Sequence, residues 1–213
     1  SRTKCIVPVH WCGNAGHFDR IMEIARKHDF PVLEDAAQAP GTEYQGRFLG
    51  SIGHAGVFSF SEPKNVMTGE GGMVITSDPS IAEKCRLIRN HGEVVPNDDD
   101  SDDYVVNTVG YNFRMVELTA AIGWVQTSKL DRANEIRKRN HQYLVSRLLD
   151  VTEEFLRPQR LTHSDTFYAY TAAFRWFETN SGLSRNTVAA ALRAEGIPVA
   201  TGVGRLLADH PLF

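Results

Sequence analysis

The chain has 213 residues, 42% of them hydrophobic and 23% charged, which is enough for one full domain and part of another. A formal net charge of −3 without a basic stripe excludes electrostatic binding of nucleic acid. No apolar run approaches the ~20 residues of a membrane span, and three cysteines without a CxxC pair fit a reducing cytoplasm better than a disulfide framework.

In chain order, residues 5–10 read as a short buried strand. Gly13 and Gly16 mark a loop. Asp19 is placed to cap a helix running to about His28, with Ile21, Ile24 and Ala25 at helical spacing. Residues 31–34 form a second strand that ends at Asp35. Strand, helix, strand over about thirty residues is the pattern of a parallel sheet. Residues 54–60 and 73–76 read as further strands. Residues 79–90 read as a helix with Ile81, Ala82, Cys85 and Ile88 on one face.

Residues 91–112 have no regular period, and residues 97–103 hold five acids in seven positions, as a solvated loop does. A long helical stretch follows from about Val116 to Leu149, bent near Leu130 and Asp131. Residues 167–177 are strand-like, and residues 184–194 read as a capped helix ending at Gly196. A domain boundary is expected near Asp150, with residues 1–149 in a large domain and 150–213 in a smaller one. The chain opens on a strand and stops soon after a new unit starts. Both ends read as cuts, so a fragment is expected, and no leader is read in the opening residues.

Three segments carry chemistry. In Glu34-Asp35-Ala36-Ala37-Gln38-Ala39, an acid stands at the C-terminal end of a strand. Ligands of open α/β sheets bind beyond those ends. Asp35 is therefore either a helix N-cap or an acid facing a ligand. In the second segment, residues 58–72, a strand delivers Ser59 and then Lys64 into a glycine-rich stretch. Glycines allow backbone to come close to a ligand. A lysine partly withdrawn from water there is an amine nucleophile, although a loop lysine is ordinarily solvated. Pyridoxal phosphate (PLP) is held by a Schiff-base lysine with an acid facing the pyridine nitrogen, and Lys64 and Asp35 supply that pair. In the third segment, residues 110–118, Asn112 stands near an expected helix start. Ser59, Asn112 and Arg114 alternatively offer a hydroxyl, an amide and a guanidinium to a phosphate.

Together, Glu34 to Ala39, Phe58-Ser59-Phe60 with Lys64, Thr68-Gly69-Glu70-Gly71-Gly72, His91-Gly92 and Gly110 to Met115 resemble the DegT/StrS-type family of PLP-dependent sugar aminotransferases. Order and approximate spacing match as far as about residue 150, and the likeness is weaker beyond. The resemblance implies an α/β fold of the PLP-dependent transferase type (fold type I). That fold has a mostly parallel central sheet flanked by helices, followed by a small α/β C-terminal domain, here partial. It implies that Lys64 holds PLP as a Schiff base and that Asp35 pairs with the pyridinium nitrogen. Gln38 would sit by the ring oxygen, Ser59 would bind the phosphate, and Asn112 would reach the phosphate of the neighbouring subunit of a homodimer with shared active sites.

The implied reaction moves an amino group from glutamate or a similar donor to a keto sugar, usually nucleotide-linked, in polysaccharide or antibiotic biosynthesis. The glycine- and threonine-rich phosphate turn and the aromatic that stacks on the cofactor in this family have no counterpart here. Two alternatives remain: a PLP-dependent sugar dehydratase of the same family, which carries His where Lys64 stands, and a non-catalytic regulatory homologue. His10, His54 and His91 lack metal-ligand spacing, and no metal is expected.

Overall fold

The computed structural model describes residues 2–93, 106, 108–152, 156–158, 174–176, 184–200 and 211. The acidic run at 97–103 and most of the strand expected at 167–177 lie outside the described residues. The chain divides into two compact units: described residues up to Leu144 belong to the first, and those from Val145 onward to the second.

The first unit is built on a sheet whose three strands lie in the order β1 (Leu33–Asp35), β4 (Ala55–Ser59), β5 (Gly72–Ile75). β1 and β4 are parallel, with Leu33 opposite Ala55 and Asp35 opposite Val57. β5 runs antiparallel to β4. The segment at 5–10 lies parallel to β1 through bridges at Ile6–Val32 and Val9–Asp35. It is a bridged edge rather than a fully buried strand, because Val7 and Val9 point outward while His10 is buried. A hairpin of β2 (Glu43–Tyr44) and β3 (Arg47–Phe48) intervenes between β1 and β4.

Helix α1 (Phe18–His28) follows the first segment. Phe18, Ile21, Met22 and Ala25, at helical spacing, face the core, and Ile24 does not. Asp19 lies inside the first turn and not at the cap, which falls on His17. The Asp19 carboxylate instead accepts a 2.8 Å bond from the Tyr44 hydroxyl. The core gathers Ala15, Phe18, Ala25, Val32, Ala36, Ala39 and Leu49. Gly56 lets the preceding turn pack on β4: a Cβ there would collide with the Gly50 carbonyl oxygen.

Helix α2 (Pro79–Arg89) is capped by Asp78, whose carboxylate accepts from Ser80 N and Ile81 N. Its end is tied to residues 111–113: Tyr111 N donates to Ile88 O and Phe113 N to Arg89 O. This extended tie keeps Asn112 out of any helix. Helix α3 (Glu117–Thr127) begins five positions later, with Val116 at its cap. The expected long helix is therefore two, α3 and α4 (Leu130–Thr152), parted at Ser128 and Lys129.

The second unit holds the end of α4, the antiparallel pair β6 (Leu156–Pro158) and β7 (Phe174–Trp176), and α5 (Arg185–Ala194). Ser184 caps α5 by accepting from Thr187 N at 3.1 Å, and Gly196 follows it in the left-handed region with φ +81°.

Candidate functional site

Parallel pairing of β1 and β4 sends both strands out of the same sheet edge, so Asp35 and Ser59 both stand at that edge. Residues on β1 alternate between faces. Val32, Glu34 and Ala36 are buried on one face, while Asp35 is partly exposed. Asp35 is held from two sides: its N–H donates to Pro8 O at 2.9 Å, and its Oδ1 accepts from Ala37 N at 3.1 Å. The second bond closes a short side-chain turn, and no helix follows it, so Asp35 is not a helix N-cap.

Gln38 follows on the same turn. Its Oε1 accepts from Cys12 N at 2.9 Å, which turns the amide so that its NH2 group is presented as a donor. Cys12 reaches this position through a left-handed backbone, φ 54°, uncommon for a residue with a Cβ. Its thiol is buried, and burial pushes it above the ordinary thiol range.

Ser59 ends β4, and its hydroxyl lies 3.1 Å from that of Ser61. The chain then turns: Lys64 N donates to Ser61 O at 3.0 Å, Thr68 N to Phe60 O at 2.8 Å and Phe60 N to Gly71 O at 2.9 Å. Lys64, partly buried, sits at the head of this turn, and its neighbours Asn65 and Val66 are buried. Asp35 and Ser59 thus end two paired strands, and Gln38 and Lys64 lie in the segments that follow them, at the same end of one sheet. The structure does not bring Asn112 there within a single chain. Asn112 is exposed and pairs by its backbone with Asn90, whose Oδ1 accepts from Arg114 Nη1 at 2.7 Å.

Glu34 was not anticipated as more than a motif residue, yet it organises the underside of the site. Its carboxylate is 0% exposed. It accepts from His10 Nε2 at 2.9 Å, Gly50 N at 2.7 Å, Ile52 N at 2.7 Å and Gly53 N at 2.6 Å. Burial is the largest single influence and opposes ionisation. The His10 and backbone donors together outweigh it and hold the carboxyl below its ordinary value. His10 in turn donates its backbone N–H to Asp35 O at 3.0 Å and packs edge-on against Phe18. A signal was available in the sequence: an acid at an inward position of a strand needs several donors. Cys12, Asn65 and Asn134, also unanticipated, have no comparable local signal.

A profile of the DegT/DnrJ/EryC1/StrS aminotransferase family matches residues 1–213. GDP-perosamine synthase of Caulobacter vibrioides is 39% identical over 171 residues, covering 80% of this chain and 45% of that protein. An aminotransferase structure from Psychrobacter cryohalolentis superposes with a TM-score of 0.84 at 31% identity, over 92% of this chain and 53% of the other. The GDP-4-keto-6-deoxy-D-mannose-3-dehydratase of E. coli, solved with bound hydrated PLP, gives a TM-score of 0.80 at 30% identity over 92% and 52%. The chain spans about half the length of these relatives. The profile match spans the whole of this chain, which belongs to the DegT/DnrJ/EryC1/StrS aminotransferase family.

Proposed function

We propose that the whole protein carrying this chain is a PLP-dependent aminotransferase that moves an amino group from glutamate, or a similar donor, to a keto sugar linked to a nucleotide. The observation that carries this reading is the parallel register of β1 and β4, which presents Asp35, Gln38, Ser59 and Lys64 from one edge. The donor set fits PLP group by group. A carboxylate suits a protonated ring nitrogen, an amide NH2 suits the ring oxygen, a hydroxyl suits the phosphate and a primary amine suits the aldehyde. Asn112, exposed in the single chain, is assigned to the phosphate site of a second copy in a homodimer.

Bound PLP supplies an electron sink for the carbon that loses its proton. Lys64 Nζ would hold the cofactor, and as a free amine it would serve as the general base for the proton on the amino-bearing carbon. Asp35 keeps the ring nitrogen protonated, because a carboxylate favours a cation beside it. Cys12 N–H occupies the Gln38 amide oxygen, so Nε2 would be the atom left to donate to the ring oxygen. Glu34 and His10 keep the strand end from shifting under these groups. The dehydratase likeness gives a sharp contrast in product: an aminotransferase leaves nitrogen on the sugar, whereas a dehydratase removes oxygen.

The test is an absorbance titration of the whole protein with PLP, before and after excess glutamate, with borohydride trapping and peptide mass analysis. A Lys64 peptide carrying the reduced cofactor, and a band discharged by glutamate, are the expected results. Lys64→Ala is expected to lose both the band and turnover, and Asp35→Asn to slow turnover by about a hundredfold or more. Turnover retained by Lys64→Ala would sink the proposal.

A further inference from the structure

The amine of the proposed site sits in the loop after β4 and the acid at the end of β1, and a third element reaches both segments. Asn134, on α4, is 7% exposed and Asn65, beside Lys64, is 8% exposed. Asn134 Oδ1 accepts from Asn65 Nδ2 at 3.2 Å, and Arg137 Nη1 approaches the same oxygen at 3.5 Å. Asn134 Nδ2 donates to Pro40 O at 3.0 Å, two residues beyond Gln38. One amide therefore holds the Lys64 loop with its oxygen and the Asp35–Gln38 loop with its nitrogen.

The fit is built from several sides. Leu130 and Asn134 are four residues apart and share one face of α4. Both abut Gly41: a Cβ there would lie 3.0 Å from Asn134 Nδ2 and 3.4 Å from Leu130 Cδ2, and Gly41 has φ +78°. A side chain at 41 would crowd the Asn134 amide and strain a left-handed backbone. Pro40 has its φ set by its ring, which narrows the freedom of the backbone that carries this carbonyl. Ala39 and Thr42 on either side are buried, and Thr42 N donates to Ala39 O at 3.1 Å. Only a primary amide combines a donor and an acceptor at this spacing. Aspartate lacks the donor and leucine lacks both.

We propose that Asn134 is a positioning residue: it sets the spacing between Lys64 and the Asp35–Gln38 strand end, and with it the seat of the cofactor ring between amine and acid. The inference rests on the PLP reading above. The experiment uses the whole protein loaded with PLP and compares Asn134→Asp, which keeps the acceptor for Asn65, with Asn134→Ala. Three quantities are read: the PLP concentration at half-saturation, the pH at which the bound cofactor's absorbance changes, and the cofactor fixed to Lys64 by borohydride.

Both variants are expected to raise half-saturation about tenfold, since each takes the amide donor from Pro40 O and Asn134→Ala also takes the acceptor from Asn65 Nδ2. They are also expected to move the absorbance transition by about half a pH unit or more. A lowered melting temperature with half-saturation and transition both unmoved would overturn the proposal, since the amide would then serve the fold alone. If neither variant folds, Asn65→Ser is read in the same way, and its failure to fold would overturn the proposal too. Wild-type protein that fixes no PLP on Lys64 would overturn the function proposed above, and the spacing role with it. Wild type that does so beside indifferent variants would overturn the spacing role alone.

Discussion

Two regions of the first unit are assembled on opposite principles. At the sheet edge of Asp35 and Lys64, side chains do the fixing. Glu34 takes four donors, Gln38 is oriented by Cys12, and Asn134 joins two loops. At residues 109–127, backbone does most of it: Tyr111 and Phe113 donate to the end of α2, the Arg114 guanidinium adds one side-chain bond to Asn90, and α3 has no buried residue. That second region is nonetheless apolar, with Val109, Phe113, Leu118 and Trp124 exposed. The contrast teaches that polar groups enter a buried setting only where their partners are complete. Large apolar groups can stand in water at small cost until something covers them.

The largest effect that would break this contrast is at Glu34. Glu34→Ala leaves the His10 and three backbone donors buried without an acceptor, so a loss of about 3 kcal/mol or more is expected. Urea unfolding measures it, with Glu34→Gln expected to lose less. A loss under about 1 kcal/mol would mean that the turn at 50–53 stands without its carboxylate.

A smaller effect sharpens the same point through pH. The folded carboxyl of Glu34 lies below its ordinary value, so the unfolded chain binds more protons across the interval between the two. The stabilisation is fully present above the ordinary carboxylate value, about 4.3, and is lost as pH falls through the folded value. Unfolding free energy measured against pH should fall in that acid window, and the fall should be shallower in Glu34→Gln. An identical slope in both proteins would remove Glu34 from the account.

The smallest effect is predicted on the other side of the contrast. Trp124 is 82% exposed, so Trp124→Gln is expected to change the unfolding free energy by less than about 0.5 kcal/mol. A loss well above that in the whole protein would mean that the α3 face is covered there, and the contrast between the two regions would dissolve.

Part of the proposed site was legible in the residues. Asp35, Ser59 and Lys64 are marked by strand ends, small neighbours and glycines, all local features, whereas the role proposed for Gln38 came only from the family resemblance. The cap at Ser184 and the stop at Gly196 were legible for the same reason, because caps act over three or four residues. Local reading was less successful where a residue had a distant partner. Asp19 has the chemistry of a cap, but the Tyr44 hydroxyl takes its carboxylate. Asn112 suits a helix start, but its neighbours are tied to α2.

By itself, then, the sequence determined the strand, helix, strand order, the set of groups offered at the strand ends and the family to which they belong. Periodicity and turn chemistry act within a few residues and are written in the chain directly. Tertiary structure alone decided which way the Gln38 amide points, how Glu34 is kept ionised, and that Asn134 meets Asn65 across 69 positions and Pro40 across 94. A hydrogen bond of that span depends on the register of β1 with β4 and on the approach of α4 to Gly41. Those are products of packing, in which each contact becomes available only after the others have brought the chain together.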